Sequence, residues 1–285
     1  MAPSFDVFPT KPHAGTAPSA RSAPSAPSAR SAPSARSAPS ALSGQSEEEL
    51  REDLAAAFRM AVQDNFHEGI ANHFSVLLLD NRSFLINPFG LHFDEITASS
   101  LVVCDFNGEV LRGNGAPAAS AKFIHAPLHR ELPHARAVFH THQPFATAFT
   151  MTHSKLSWSL QTNIRFYGRV AYDTDYDGVA LDESVGTRLA KEVGNAEVMF
   201  MGNHGVLTAA TTVAQAYDDL YYLERSCQTQ ILAESSGRPL IELSQSLIEQ
   251  TSRQSTYERI DLGYIDKHFE ARKRLLARSG STYRD

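Results

Sequence analysis

From Ser22 to Leu42 the chain reads SAPSAPSARSAPSARSAPSAL, a near-perfect repeat of the hexamer SAPSAR. Alanine, serine and proline cannot bury enough apolar surface to offset the entropy lost on ordering. The repeat therefore predicts an unstructured tail over residues 1–45 and confines any fold to the remaining 240 of 285 residues. In serine and arginine content the tail resembles an organelle transit peptide, but its prolines oppose the amphipathic helix that such a peptide forms. The opening MAPSFDVFPTKPH has neither the charged lead nor the apolar segment of a secretory signal, so the expected location is cytoplasmic.

The charge is unevenly placed. Residues 1–46 carry four basic groups (Lys11, Arg21, Arg30, Arg36) against Asp6, which leaves 22 basic and 31 acidic groups beyond them, a net of −9. So acidic a folded part is a poor grip for phosphate backbones, and no nucleic-acid partner is expected. No apolar run approaches the ~18 residues of a membrane span, so no membrane is expected either. The two cysteines, Cys104 and Cys227, lie in neither a redox nor a zinc spacing and read as small buried hydrophobes.

Folded structure is expected to begin at SEEELREDLAAAF, where Ser46 and Glu49 form a capping box and Leu50, Leu54, Phe58, Ala61 and Val62 share one helical face. HFSVLLLD and SFLINP, divided by Asn81-Arg82, read as a hairpin, and LVVCDF and EVLRG, divided by Asn107-Gly108, as another. A helical turn is expected near EITASSL. Further on, KFIHAPLHREL reads as a helix strained by Pro127, ARAVF as a strand, PFATAFTMT as a helix, and RFYGRVAY and AEVMFMG as strands around the helix ESVGTRLAKEVG. A long helix follows with Val213, Tyr217, Leu220, Cys227 and Ile231 on one face, and residues 241–285 read as a helical C-terminal extension. Strands grouped first and then mixed with helices predict one α/β domain over residues 46–240.

One short stretch carries chemistry. AVFHTHQPF places His140 and His142 at the end of a strand, where residues two apart project to the same side. Neutral imidazoles are common ligands of divalent ions, and a third is offered by His204 in MFMGNHGV, which also ends an apolar strand. Three imidazoles would leave an open position, the pattern of a catalytic site. On spacing alone HxH is a weak signal, and with the NHG the metal and surface readings are evenly matched.

Four segments decide further. HEGIANHFSV, FLINPFGLHFDEITASSLVVCDFNGEV, FIHAPLHRELPHARAVFHTHQPFATAF and VMFMGNHGVLTAATTVAQAYDDLYYLE resemble, in order, the class II aldolase/adducin family over about residues 48–237. The resemblance implies a three-layer α/β/α class II aldolase-like fold with a central, largely antiparallel sheet, commonly a homotetramer. It also implies a divalent metal on His140, His142 and His204, with zinc expected and manganese or iron as alternatives.

The chain departs from the family's sugar-phosphate aldolases. Their catalytic glutamate sits nineteen residues before the HxH, a position held here by Ala121, and Ala119 and Ser120 stand where serines would hold phosphate. Asn72-His73 replaces the Gly-Asn of the phosphate loop, and the neighbouring turn ends in Phe89-Gly90. A methyl group cannot shuttle protons, whereas loss of CO₂ needs no base to take a hydroxyl proton. The expected function is therefore that of a metal-dependent carbon–carbon lyase, a decarboxylase of a non-phosphorylated keto or hydroxy carboxylic acid, aromatic acids included; the likeness of INPFGLHFDEI to the family's decarboxylases is an analogy. His73 and Glu68 are the candidate acid/base groups. Asn72, Phe89, Gly90 and Ser120 are the candidate substrate contacts.

Three alternatives stand beside that reading. They are a class II aldolase acting on a small hydroxy-carbonyl compound, a non-heme Fe(II) oxygenase, and an adducin-like non-catalytic interaction module. His125 reads as a hydrogen-bonded core histidine, and His92 and the acids from Asp173 to Asp177 as loop residues. Gln161, Arg165, Tyr167 and Tyr172 fall in a segment that in family tetramers approaches a neighbouring subunit, with plain surface or core roles as the simpler reading.

Overall fold

The computed structural model describes residues 45–285 apart from residues 153, 177 and 181, so the repeat tail lies outside the described residues. Helix α1 (Glu47–Gln63) opens on the capping box, with the Ser46 hydroxyl accepting from the Glu49 N–H and the Glu49 carboxylate from the Ser46 N–H. Two antiparallel hairpins follow, β1 (His73–Leu77) with β2 (Ser83–Ile86) and β3 (Val102–Asp105) with β4 (Val110–Arg112). The rest alternates: α2 (Ala119–Glu131), β5 (Ala137–Thr141), α3 (Pro144–Met151), the single turn α4 (Gln161–Ile164), β6 (Val170–Asp173), α5 (Glu183–Val193), β7 (Val198–Met201), β8 (Gly205–Ala210), α6 (Val213–Glu234), α7 (Gln245–Ile260) and α8 (Tyr264–Arg278).

The strands form one sheet in the order β4-β3-β2-β1-β5-β8-β7-β6, antiparallel at every pairing except β6 with β7. Side-chain alternation divides its two faces. Phe74, Val76, Phe139, Phe200 and Val206 enter the main cluster beneath α1, α3, α6 and α8. Val138, Met199, Leu207 and Ala209 pack beneath α2 and α5, and Leu77, Phe84 and Val102 beneath the start of α2. The layers are thus helix, sheet, helix. Helix α8 belongs to this body: Phe269 and Leu276 sit in the main cluster, and Lys273 pairs with Asp53 of α1 at 2.6 Å.

Two local expectations shift. RFYGRVAY is a strand only from Val170 onward. Arg165 to Gly168 stays in turns (Phe166 N–H to the Asn163 carbonyl, 2.9 Å) closed by Gly168 at φ +75, while Arg165 and Arg169 reach buried Asp218 and Asp219 on α6. Pairing those guanidiniums outweighs the strand propensity of the aromatics. The helical turn expected at EITASSL lies earlier, as a 3₁₀ turn at Phe93–Glu95 capped by the His92 ring.

Candidate metal centre

On β5, Ala137 and Phe139 point into the main core and Val138 points the other way, so His140 must share the α2/α5 face with Val138. His142 follows two residues later, just past the strand end. His204 is delivered by the turn between β7 and β8, where Asn203 takes the left-handed conformation at φ 56. Gly205 lets that turn come close: a Cβ there would stand 2.5 Å from the Thr141 carbonyl and 2.7 Å from the His142 ring. The segment after His142 is held from α6, whose buried Glu224 accepts from the N–H groups of Phe145 and Ala146 at the start of α3 (2.8 and 2.9 Å).

The three histidines offer ligand nitrogens that all lie within 4.8 Å of one another. Hydrogen-bond partners fix which nitrogens are bare. The Val206 carbonyl can only accept, so His140 donates Nδ1–H to it at 3.0 Å and its Nε2 keeps a lone pair. His142 donates Nδ1–H to the Glu68 carboxylate at 2.5 Å, which leaves Nε2 as the nitrogen it can turn toward an ion. The two Nε2 atoms face each other at 3.0 Å. Two ring nitrogens brought together like this share either a proton or a metal ion. Nitrogens that share one divalent ion stand about 3–3.4 Å apart, so the donor set would fit such an ion. A carboxylate behind one imidazole and a backbone carbonyl behind another are the usual partners of metal-bound histidines.

Burial, with the neighbouring imidazoles adding to it, drives the His140 pKa well below the ordinary value and lowers that of His204 to about 4. Both are neutral near pH 7, the state in which imidazole binds metal.

The triad opens on a cavity of about 220 Å³. His73 lines it from β1, Ser120 and Ile124 from α2, and Tyr176, Val179 and Ala180 from the loop before α5. Among the described residues no lysine, arginine, aspartate or glutamate lines this cavity. Burial, with the neighbouring imidazoles of His142 and His204 adding to it, pushes the His73 pKa down to about 3, so His73 too is neutral.

A family model described as the class II aldolase and adducin N-terminal domain matches residues 52–231. The chain belongs to that family. Among solved structures it is similar to an aldolase II superfamily protein of Pseudomonas syringae, 37% identical with a TM-score of 0.79, covering 86% of this chain and 98% of that one. It is also similar to an L-fuculose 1-phosphate aldolase of Glaciozyma antarctica, 26% identical with a TM-score of 0.72 over 84% and 93% of the two chains. An adducin-related protein of Schizosaccharomyces pombe is 30% identical over 82% of this chain and 76% of its own length. Aldolases and adducin-type proteins thus both stand among the relatives.

Of the candidate residues, the structure brings His73, Ser120, His140, His142 and His204 to one cavity. Glu68 reaches it only through the outer edge of His142, with its side chain 68% exposed. Asn72 is buried and turned to its own loop, its side-chain oxygen accepting the Glu68 N–H at 2.7 Å, so it braces Glu68. Phe89 and Gly90 are on an exposed turn outside the cavity wall, Phe89 at 61% exposure. Ala121 faces the apolar cluster beside Phe84 and Cys104, and the α2 side chains at the cavity are its neighbours Ser120 and Ile124. Sequence reading missed Tyr176, Val179 and Ala180, which come from a loop without periodicity.

Proposed function

We propose that this protein is a metal-dependent carbon–carbon lyase, a decarboxylase of a small non-phosphorylated keto or hydroxy carboxylic acid. One observation carries the reading: a three-imidazole cradle opens on a small cavity whose described wall holds neither a carboxylate nor a basic side chain. Among the described residues of that wall, a phosphorylated sugar would meet no lysine or arginine, and a retro-aldol step would meet no carboxylate to take the hydroxyl proton. The volume lies below the ~300–1,000 Å³ usual for drug-sized ligands, which favours a compact acid.

His140, His142 and His204 would hold the ion, zinc by the all-nitrogen donor set with manganese or iron as alternatives. When bound, such an ion supplies Lewis-acid stabilisation of the negative charge that develops on a substrate oxygen. Glu68 aims His142 by holding its Nδ1–H. His73 and Ser120 offer hydrogen bonds to the substrate, and Ile124, Val179 and Ala180 exclude water from it. We further propose a cytoplasmic homotetramer, which light scattering of the purified protein tests.

The deciding experiment restores zinc, manganese or iron to the protein and follows CO₂ release across keto and hydroxy acids, benzoate-type acids included. Release that depends on metal and vanishes in His140→Ala supports the reading; release from none of them overturns it. The likeness to an L-fuculose 1-phosphate aldolase favours a second reading, cleavage of a small hydroxy-carbonyl compound, which would give an aldehyde fragment and no CO₂.

A further inference from the structure

Behind His73 lies a chain of buried polar groups that holding a metal does not require. His73 and Ser75 project from β1 toward α2, where His125 and His129 stand one helical turn apart. His73 Nδ1 meets His125 Nε2 at 2.7 Å, and His125 Nδ1 meets the Ser75 hydroxyl. The same hydroxyl meets His129 Nε2 at 2.7 Å, and His129 Nδ1 meets the Ala135 carbonyl at 2.6 Å. All four residues are at most 5% exposed. Packing alone would be served as well by apolar side chains, because a buried polar group contributes little unless every partner is satisfied.

The proton order in this chain follows from its end. A carbonyl only accepts, so His129 carries its proton on Nδ1 and leaves Nε2 bare. Ser75 must then donate to His129, and its oxygen is free to accept from His125 Nδ1–H. That leaves His125 Nε2 bare, and it accepts from His73 Nδ1–H. The order requires neutral rings, and burial lowers the pKa of both His125 and His129. Reversing it would set bare nitrogen against bare oxygen at Ala135. One unmade buried hydrogen bond biases such an equilibrium about tenfold to a hundredfold. Because the chain ends on a carbonyl, it has no exit for a proton and acts as a lock.

We propose that Ser75, His125 and His129 are positioning residues that lock His73 in its Nδ1–H tautomer, so that a bare Nε2 accepts a hydrogen bond from a hydroxyl of the substrate in the cavity. His73 Nε2 has no hydrogen-bond partner among the described residues, and the ring lines the cavity 5.0 Å from that of His140. An acceptor in that place selects a hydroxy acid over its keto counterpart, since two acceptors cannot pair. This selection rests on the lyase reading; the lock does not.

Nitrogen-15 NMR of the full chain labelled in histidine, with metal removed by chelator, reads the lock directly, His73 being assigned by the signals lost in His73→Gln. The expected result is a protonated Nδ1 and a bare Nε2 on His73, retained in Ser75→Thr and averaged toward both tautomers in Ser75→Ala. A protonated Nε2 in the wild type, or a Ser75→Ala spectrum unchanged at His73, overturns the lock. For the zinc-loaded protein, mandelate should compete for binding at least tenfold better than phenylglyoxylate, with the preference lost in His73→Phe. Equal binding of the two acids by protein whose lock is intact overturns the hydroxyl selection. Failure to bind zinc at all overturns the lyase reading and leaves the NMR result to decide the lock.

Discussion

Replacing Glu68 by alanine tests the metal centre at its most exposed support. The carboxylate oxygen stands 2.5 Å from His142 Nδ1, and no other side chain among the described residues takes that proton. Losing the group behind a metal-bound histidine weakens metal binding by about 10- to 100-fold. Here the glutamate side chain is 68% exposed, so water can replace part of what is lost, and the lower end applies. The expected loss is about tenfold in Kd, or about 1.4 kcal/mol. Glu68→Gln, which can still accept through its amide oxygen, should fall between alanine and wild type. The assay is competition for zinc against a chromogenic chelator at pH 7.5, with the thermal unfolding of metal-free protein as control. An exposed pair contributes little to folding, so the metal-free transition should stay unchanged. A zinc Kd within twofold of wild type for Glu68→Ala would refute the argument that this carboxylate orients His142.

Three further outcomes are expected. Asp219 is fully buried between Arg169 (2.7 Å) and Arg259 (3.0 Å), so Asp219→Ala leaves two guanidiniums without their shared partner and should cost about 3–5 kcal/mol in urea unfolding. Burial lowers the His129 pKa from 6.5 to about 4 in the folded chain; the unfolded state then binds more protons below pH 6.5, and stability is present above that pH and lost as pH falls toward 4. The share from His129 is about 3 kcal/mol, so the pH dependence of unfolding between pH 7 and 4 should be shallower in His129→Gln, and an identical slope would count against a neutral buried ring. Gly205→Ala puts a methyl carbon 2.5 Å from the Thr141 carbonyl, and should destabilise the protein by about 1–3 kcal/mol while weakening zinc binding.

Much of the fold was legible because each segment's local signal agreed with its tertiary use. Ser46 with Glu49, and the Asn107-Gly108 turn, act within four residues, and the structure uses both as the sequence suggests. The strand expected at Arg165 to Arg169 does not form because its arginines answer to aspartates some fifty residues away on α6, a pull no local window contains. The triad was legible for the opposite reason: two of its members share one strand end, and the third ends another apolar run. What supports the triad was hidden. Glu68 meets His142 across 74 residues, and Glu224 meets the start of α3 across 79. Phe89 was drawn toward the site by its loop's place in the chain, yet its ring stays on the surface.

The histidines behind the cavity show how register turns a weak pattern into a definite one. His125 and His129, four apart on a helix, are in isolation no more than a polar spot on an apolar face. Ser75, two residues after His73, looks like an ordinary strand residue. Pairing of β1 with β5 sets His73 opposite His140 and Ser75 opposite Val138, which places both on the face that α2 covers. A slip of one residue in β1 would turn Phe74 and Val76 out of the main core, where they are fully buried, and would carry His73 and Ser75 into it. The apolar residues thus fix the register, and the register fixes the polar ones. Disturbing the packing of Phe74 against Phe139, stacked at 4.0 Å, should therefore disturb the His73 tautomer before it unfolds the sheet.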